Sequence, residues 1–567
     1  MKKAKKLLAL LLVVVSMMSL LAACGGNADK PAESQKPGFD IDVPPGGNTE
    51  TEKPGETTPV EYVQTKPAEL VKVAVADAPT NITPWSGTSN GRNQVLLSNV
   101  YQCLLEGIQR TEEVRLIMAE KLDRAYAKTA NGEMHRIYLF KDIYDSEGNH
   151  FTAEDAVFCL QSAVAEGAIP AVAFIGETKV IDEYTLDVEI LSYNRTQLAA
   201  SVSNVFMVTK KAYEASPDGM ATKIVATGPY KIDSWVSGDS MKMSKVENYW
   251  GADMGERSDD LMNPWMWHAQ NVNNIEFKKI PEPAQAAIAL ETDAADVAIK
   301  LTTTEAERFA GDEAYRVHTM YDTLTMHTYF NCTDNSPFAD VRLRQAVAYA
   351  IDRQAVYDAN GGYGMFTNTF GSHLFADYVD EWDNKEYYAY NPEKARELIK
   401  ESGFDTSREI VILVANTSKF RTTTAAVVQA QLMEVGFKVR VDTLDGASFA
   451  ANRFDPTIQD IRIDQQAFEN LANLWNQHLN YEVKGHPKNL LKKDEKLQEL
   501  ITKVQLPEFH TAEYMTEAHE YIMENCLIYS IHGLANFDVV DSSVIARDGG
   551  KNNRLQTPIG SYTFYTE

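Results

Sequence analysis

The chain has 567 residues, a hydrophobic share of 44%, seven tryptophans and a formal charge of −26. That length and apolar share support two or three packed domains rather than one. The acidity argues against nucleic acid as a partner, because phosphate binding needs basic patches.

The first predicted element is a targeting segment. Lys2, Lys3, Lys5 and Lys6 precede an apolar run over 7–15, and Leu21-Ala22-Ala23-Cys24 follows. The run is short and asymmetric for a membrane span and has the layout of a secretory signal. Its end resembles the bacterial lipobox, in which the thiol of the cysteine is acylated and becomes the new N-terminus. Cys24 is therefore the expected lipidation site, with 1–23 removed. The next stretch, 24–66, is rich in Gly, Pro, Glu, Thr and Lys, with few apolar residues. It reads as a disordered tether reaching roughly 35 Å root-mean-square. The expected location is the extracytoplasmic face of the cell membrane.

The alternation in 69–77 predicts a strand, followed by a turn-rich loop and a helical pattern over 95–105. A strand is expected at 134–140. Thr152 and Asp155 have capping-box spacing ahead of the apolar stripe Ala156, Val157, Leu160 and Val164. Strands are expected at 185–190 and 275–281, then a helix over 284–290 and a strand over 295–299. A helix over 341–353 carries Asp340 before it. Asn391, Pro392 and Gly403 bound a complete helix signature, with Phe404 closing it. The segments 408–415, 424–436 and 437–442 form a strand–helix–strand crossover. Strands alternate with helices throughout, which indicates α/β lobes.

Four blocks then carry a resemblance. They are YLFKDIYDSEGNHFTAEDAVFCL (138–160), ATGPYKIDSW (226–235) with ENYWG (247–251), YFNCTDNSPFADVRLRQAVAYAIDR (329–353) and QAQLMEVGFKVRV (429–441). In this order they resemble extracellular solute-binding protein family 5, the oligopeptide-, dipeptide- and nickel-binding subunits of ABC importers. Ala226 stands where the family pattern has Gly. Arg342 and Arg344 read as surface or interlobe charges.

The resemblance implies an α/β fold of the two-lobed periplasmic-binding-protein type II, with an additional inserted domain. Lobe I would combine 67–100, 216–312 and 529–567. The additional domain would be 101–215, and lobe II 313–528. It also implies a non-catalytic monomer that captures a small solute between hinged lobes. The partners would be permease and ATPase subunits and, through the lipid, the membrane. No cofactor is expected.

An interlobe pocket needs aromatic walls and a few placed polar groups. Trp85, on the loop after the first strand, is a candidate stacking platform. Asn331 ends the strand of the Phe330-Asn331 motif. Phe366 and Phe370 lie in the loop after the 341–353 helix. Asn416, Phe420 and Arg421 follow a strand end, where open α/β sheets place ligands, and Arg421 offers a carboxylate partner. Peptide-binding relatives hold a free amino terminus with the aspartate of a Trp-x-x-Asp segment. Here Ile461-x-x-Asp464 keeps the spacing without the Trp, Asp460 is a rival, and Trp475 lies nearby. The ligand order is peptide, then oligosaccharide stacked on Trp85 and Trp475, then nickel chelate. Eleven scattered histidines form no i, i+4 pair, which weakens the metal reading.

Two other classes stay open. A sensor receptor without transport would share this sequence pattern. Gly87-Thr88-Ser89-Asn90-Gly91 matches the G-x-S-x-G elbow of serine hydrolases, but the strand has ended well before Ser89. Cys103, Cys159, Cys332 and Cys526 have no zinc spacing, and the two earlier ones sit among apolar neighbours. Buried thiols are expected, with a disulfide possible in this compartment.

Overall fold

The structure, a computed structural model, describes residues 66–86, 94–108, 111–192, 196–258, 260, 262–362, 364–466, 470–481, 490–547 and 559–564. The chain divides into two units, Met1–Gly38 and Phe39–Glu567, and every described residue belongs to the second. Cys24, the tether and Ser89 lie outside the described residues.

Strand β1 (Ala68–Val75) opens the chain and is buried from Val73 onward. The expected helix at 95–105 is a single turn, Gln94–Leu97. Asn99 ends it by donating its side-chain amide to Leu96 O at 3.1 Å, the local competition that makes Asn a poor helix residue. Strands β2 (Ala119–Lys128), β3 (Glu133–Leu139), β4 (Ile175–Asp182) and β5 (Thr185–Ile190) form an antiparallel sheet in the order β2-β3-β5-β4. Helix α1 (Ala153–Glu166) packs on β4 and β5. Its capping box is present: Thr152 N donates to the Asp155 carboxylate at 2.7 Å. Such a cap contributes about 1 kcal/mol. The buried stripe continues through Ala163 rather than Val164, which is exposed. A short helix α2 (Gln197–Val202) follows, wholly buried.

Strands β6 (Tyr230–Val236), β7 (Ser240–Lys245) and β8 (Val272–Lys279), helix α3 (Pro283–Glu291) and strand β9 (Val297–Leu301) come next. Strand β10 (Tyr315–Phe330) is 16 residues long. The second half of the chain adds α4 (Val341–Ala350), α5 (Pro392–Ser402), β11 (Glu409–Ala415), α6 (Lys419–Glu434), β12 (Lys438–Leu444) and α7 (Gly446–Asn452). It continues with β13 (Ile461–Gln466), α8 (Leu471–Leu479), α9 (Ala512–Glu524) and the 14-residue β14 (Ile528–Asp541), after which the short strands Ile545–Arg547 and Thr563–Phe564 pair with each other. The α5 signature is realised: Asn391 Oδ1 accepts from Lys394 N at 2.9 Å, and Gly403 takes the left-handed φ of 72°.

One ten-stranded sheet runs β12-β11-β13-β10-β14-β9-β1-β8-β7-β6. At one end β11 pairs in parallel with both β12 and β13. At the other, β1 pairs in parallel with β8 and β9. The long antiparallel pair β10–β14 joins the two halves, and its register shifts between Tyr321 and Thr325 and again between Met326 and His327. Beside that irregularity Gly364 meets Gly533: a Cβ on Gly364 would stand 2.2 Å from Gly533 O. Only glycine fits so close a backbone approach.

The cores divide the same way. Val71, Phe277 and Val297 share one cluster with α1 and the four-stranded sheet. Phe330, Val347, Ile412 and Val428 belong to a second, and Tyr329, Phe370 and Trp475 to a third. Arg344 corrects the reading of a surface or interlobe charge. It is 6% exposed, and its guanidinium donates to the carbonyls of Phe338 (2.7 Å), Ala339 (3.2 Å), Asn525 (2.8 Å) and Cys526 (3.2 Å). A helix end leaves such carbonyls without partners, and Arg344 satisfies those after α9.

Candidate functional site

The carboxyl ends of β11, β12 and β13 point the same way, because the three strands are parallel. This is where open α/β sheets place ligands. Arg421 lies in the first turn of α6 after β11, Arg453 at the C-cap of α7 after β12, and Asp464 on β13 itself.

Asp464 is 1% exposed. Its Oδ1 meets Arg421 Nη2 at 3.1 Å and accepts Gln465 N at 2.9 Å. Its Oδ2 accepts from the Gln466 side chain at 3.0 Å, with Arg462 Nε at 3.6 Å and Arg453 Nη1 at 4.0 Å. Three guanidinium groups thus face one carboxylate. This arrangement does not match the expectation of an aspartate open to an incoming ammonium. Asp460, the rival, accepts from Arg408 at 2.9 Å and Val411 N at 3.0 Å.

Aromatic rings wall this cluster. Arg462 sits 4.2 Å from the Tyr329 ring centroid and 5.1 Å from that of Phe454. Arg421 lies 5.8 Å from Phe449. Burial pulls the Arg462 guanidinium below its ordinary range, with Asp464 and Tyr329 opposing, and pushes the Tyr329 phenol well up. Arg462 Nη1 donates to Arg453 O at 2.7 Å. Asn331 supports the same region: its Nδ2 donates to Pro456 O at 2.9 Å and Gln459 O at 3.1 Å. Gln459 in turn donates to Arg453 O at 2.9 Å.

The structure brings Phe370 and Trp475 together as well. Trp475 is fully buried and its indole N–H donates to Phe370 O at 2.8 Å. Phe370 packs edge-on against His327 and Tyr329, which links this pair to the arginine cluster. Trp85 is not the exposed face expected of it. It is 5% exposed, donates to Phe206 O at 3.0 Å and packs against Phe158 and Tyr213. Phe366 is 37% exposed and lies under the Arg353 guanidinium at 4.8 Å. Asn416 is exposed and tied by its backbone to Leu444, and Phe420 is half-buried against the core of Val347 and Ile412.

Just past β13, the start of α8 reaches another part of the chain. Asn470 Nδ2 donates to Thr196 Oγ1 at 3.0 Å, and Asn473 Nδ2 donates to Gln197 Oε1 at 2.7 Å. The start of α8, the helix that follows β13 in the chain, therefore meets the start of α2 through side chains. Sequence reading missed Arg453, Arg462, Tyr329 and this polar seam. A charged residue every few positions around Ile461-x-x-Asp464 was the available signal. Among the described residues, no group of three or more His, Cys, Asp or Glu side chains is placed to hold a metal ion.

A two-part sheet joined by two long strands, with a polar cluster at the strand ends, defines a two-lobed binding-protein fold. Solved structures agree. The ABC transporter substrate-binding protein CtaP from Listeria monocytogenes matches with a TM-score of 0.73 at 17% identity, over 88% of this chain and 100% of that one. The oligopeptide-binding protein AppA from Bacillus subtilis, in complex with a nonapeptide, gives 0.66 at 15%, with the same coverage. NikA from Brucella suis, in complex with Fe(III)-EDTA, gives 0.71 at 19%, again over 88% and 100%.

The profile of the bacterial extracellular solute-binding proteins, family 5 (middle), matches residues 117–480, and the chain belongs to that family. Members of this family are extracytoplasmic solute-binding proteins that work with ABC permease and ATPase components. Among curated proteins, the glutathione-binding protein GsiB of Salmonella typhi is 22% identical over 395 residues, covering 68% of this chain and 71% of GsiB.

Proposed function

We propose that the chain is a lipid-anchored receptor that captures an oligopeptide between two hinged lobes and delivers it to a membrane permease. Lobe I comprises 67–100, 216–312 and 529–567, lobe II 313–528, and the additional domain 101–215. The observation that carries the reading is the polar seam of Asn470 and Asn473, at the start of the helix that follows β13, with Thr196 and Gln197. Contacts made only by side chains can part and re-form as a hinge opens and shuts. The register breaks in β10–β14 supply the hinge, since backbone pairing is already interrupted there.

The enclosure of Trp85 and Trp475 weighs against the oligosaccharide reading, which needs open stacking faces. The names of AppA and GsiB support a peptide-like cargo. Cys24 supplies the anchor in this reading. Two acyl chains at ~0.8 kcal/mol per buried methylene hold firmly to a bilayer.

The test is a thermal-shift screen of the tetherless protein with peptides, oligosaccharides and nickel. A ligand at 100 times its Kd adds about 2.7 kcal/mol to folding stability. Peptides should raise the melting point; a shift with nickel or sugar alone sinks the peptide reading. Cys24→Ala should release the protein from membranes, and retention would remove the lipid anchor from the account. Pulldown of a permease separates an importer from a sensor.

A further inference from the structure

We propose that the captured solute presents a carboxylate to Arg421, Arg453 and Arg462, so that the Asp464 position serves as an anion subsite. This deepens the peptide reading above and rests on it.

The charges do not balance. Among the described residues, the three guanidinium groups share one carboxylate within 4.0 Å, Asp464, so three positive charges there face one negative. No other acidic side chain pairs with any of the three among the described residues. Asp464 is also well occupied, because Gln465 N, the Gln466 amide and Arg421 already contact its two oxygens. An arriving ammonium would meet three guanidinium groups around that carboxylate.

Donors, by contrast, are in surplus. Arg421 Nε, Arg453 Nε and Arg462 Nη2 are buried and make no well-formed hydrogen bond among the described residues, and the Tyr329 hydroxyl faces the Arg462 guanidinium. Arg462 itself is 1% exposed, so its spare nitrogen has no water-facing outlet. Buried donors without acceptors are rare in folded proteins and demand a partner. A carboxylate offers two oxygens in one plane, the geometry a guanidinium fork accepts. The side chains of Arg421 and Arg453 remain 16% and 33% exposed, so two of the three guanidinium-bearing side chains reach solvent. The rings of Tyr329, Phe449 and Phe454 hold the cations in place without neutralising them.

The carboxylate has two sources, a peptide C-terminus or an acidic side chain. Calorimetry on the tetherless protein separates them with three alanine-based tetrapeptides: the free acid, its C-terminal amide, and the amide with one internal glutamate. At least one carboxylate-bearing peptide should bind ten-fold or more tightly than the neutral amide. Which one does so identifies the source. In Arg453→Gln that preference should shrink to below three-fold, while Arg453→Lys keeps most of it and both variants melt as wild type. Equal binding of acid and amide, or an unchanged preference in Arg453→Gln, overturns the proposal and leaves peptide capture standing. If no peptide binds, the peptide reading fails by itself. An oligogalacturonate against its methyl ester then probes the subsite alone, and no preference for the free acid overturns it.

Discussion

Asn473 on α8 and Gln197 on α2 are 276 residues apart in sequence and share a 2.7 Å hydrogen bond in which both side chains are buried. In the hinged reading proposed above, this bond forms as the protein shuts. Asn473→Ala leaves Gln197 Oε1 without that donor, which costs about 1–3 kcal/mol. Solute affinity should fall roughly ten-fold, since 1.4 kcal/mol corresponds to that factor. Titration calorimetry with solution scattering checks it. An unchanged affinity and an unchanged bound-state radius would show that the seam plays no part in closure.

Among the described residues, five buried histidines are held as neutral bases, and in His532 burial lowers the pKa without a large shift. Burial depresses His327 to about 3 and His135, His268 and His519 to about 4, from an ordinary 6.5. Below pH 6.5 the unfolded chain binds protons that the folded chain refuses, so stability rises with pH in this window. It is fully present above 6.5 and drains away as pH falls toward 4. The melting temperature should drop steadily from pH 7 to pH 4.5, with a shallower slope in His519→Gln. Equal melting temperatures at pH 7 and pH 5 would contradict this account.

Arg344 serves four backbone carbonyls from inside the fold. Arg344→Leu strips all four of their charged donor and should cost about 3 kcal/mol or more, since one hydrogen bond to a charged group contributes about 1.5–3 kcal/mol. Arg344→Lys restores a point charge but not the planar fork, and should recover only part. Urea unfolding reads the loss as a lower midpoint at constant slope. A Leu variant within 0.5 kcal/mol of wild type (roughly the noise of a surface substitution) would refute the role.

Cys103, Cys159, Cys332 and Cys526 are free thiols in the structure, and all are buried. Burial pushes Cys526 up to about 12 and raises Cys159 and Cys332 as well, so these three form no ready thiolate. On the tetherless protein, a thiol reagent should titrate none in the native state and four in denaturant. Reducing agent should leave the melting point unmoved. A loss of a few kcal/mol on reduction, typical of breaking a native disulfide, would reveal a bridge.

The elements with strong local chemistry were readable in advance. The α5 signature works because Asn391, Pro392 and Gly403 each act within one turn, and the Thr152–Asp155 box likewise. The single turn at Gln94–Leu97 was not, because Asn99 competes with the helix through its own side chain. The site divides on the same principle. Arg421 and Asp464 were named separately, but their 3.1 Å pairing depends on β11 and β13 lying side by side. The burial of Trp85 depends on Phe158, Phe206 and Tyr213, which are distant in sequence. No local pattern announces partners of that kind.

Strand β10 serves a different core on each face near its end. Met326 and Phe330 enter the cluster of Val347 and Ile412, while Tyr329 enters that of Phe370 and Trp475, and His327 stacks on Phe370 from the same side. Side chains alternate with a period of two, so a single inserted or deleted residue between Thr325 and Phe330 exchanges these faces wholesale. The imidazole would then enter an aliphatic interior, and methionine would take its place beside Ser530. A change of length in a surface loop leaves this alternation untouched, whereas the same change within the crossing strand inverts it.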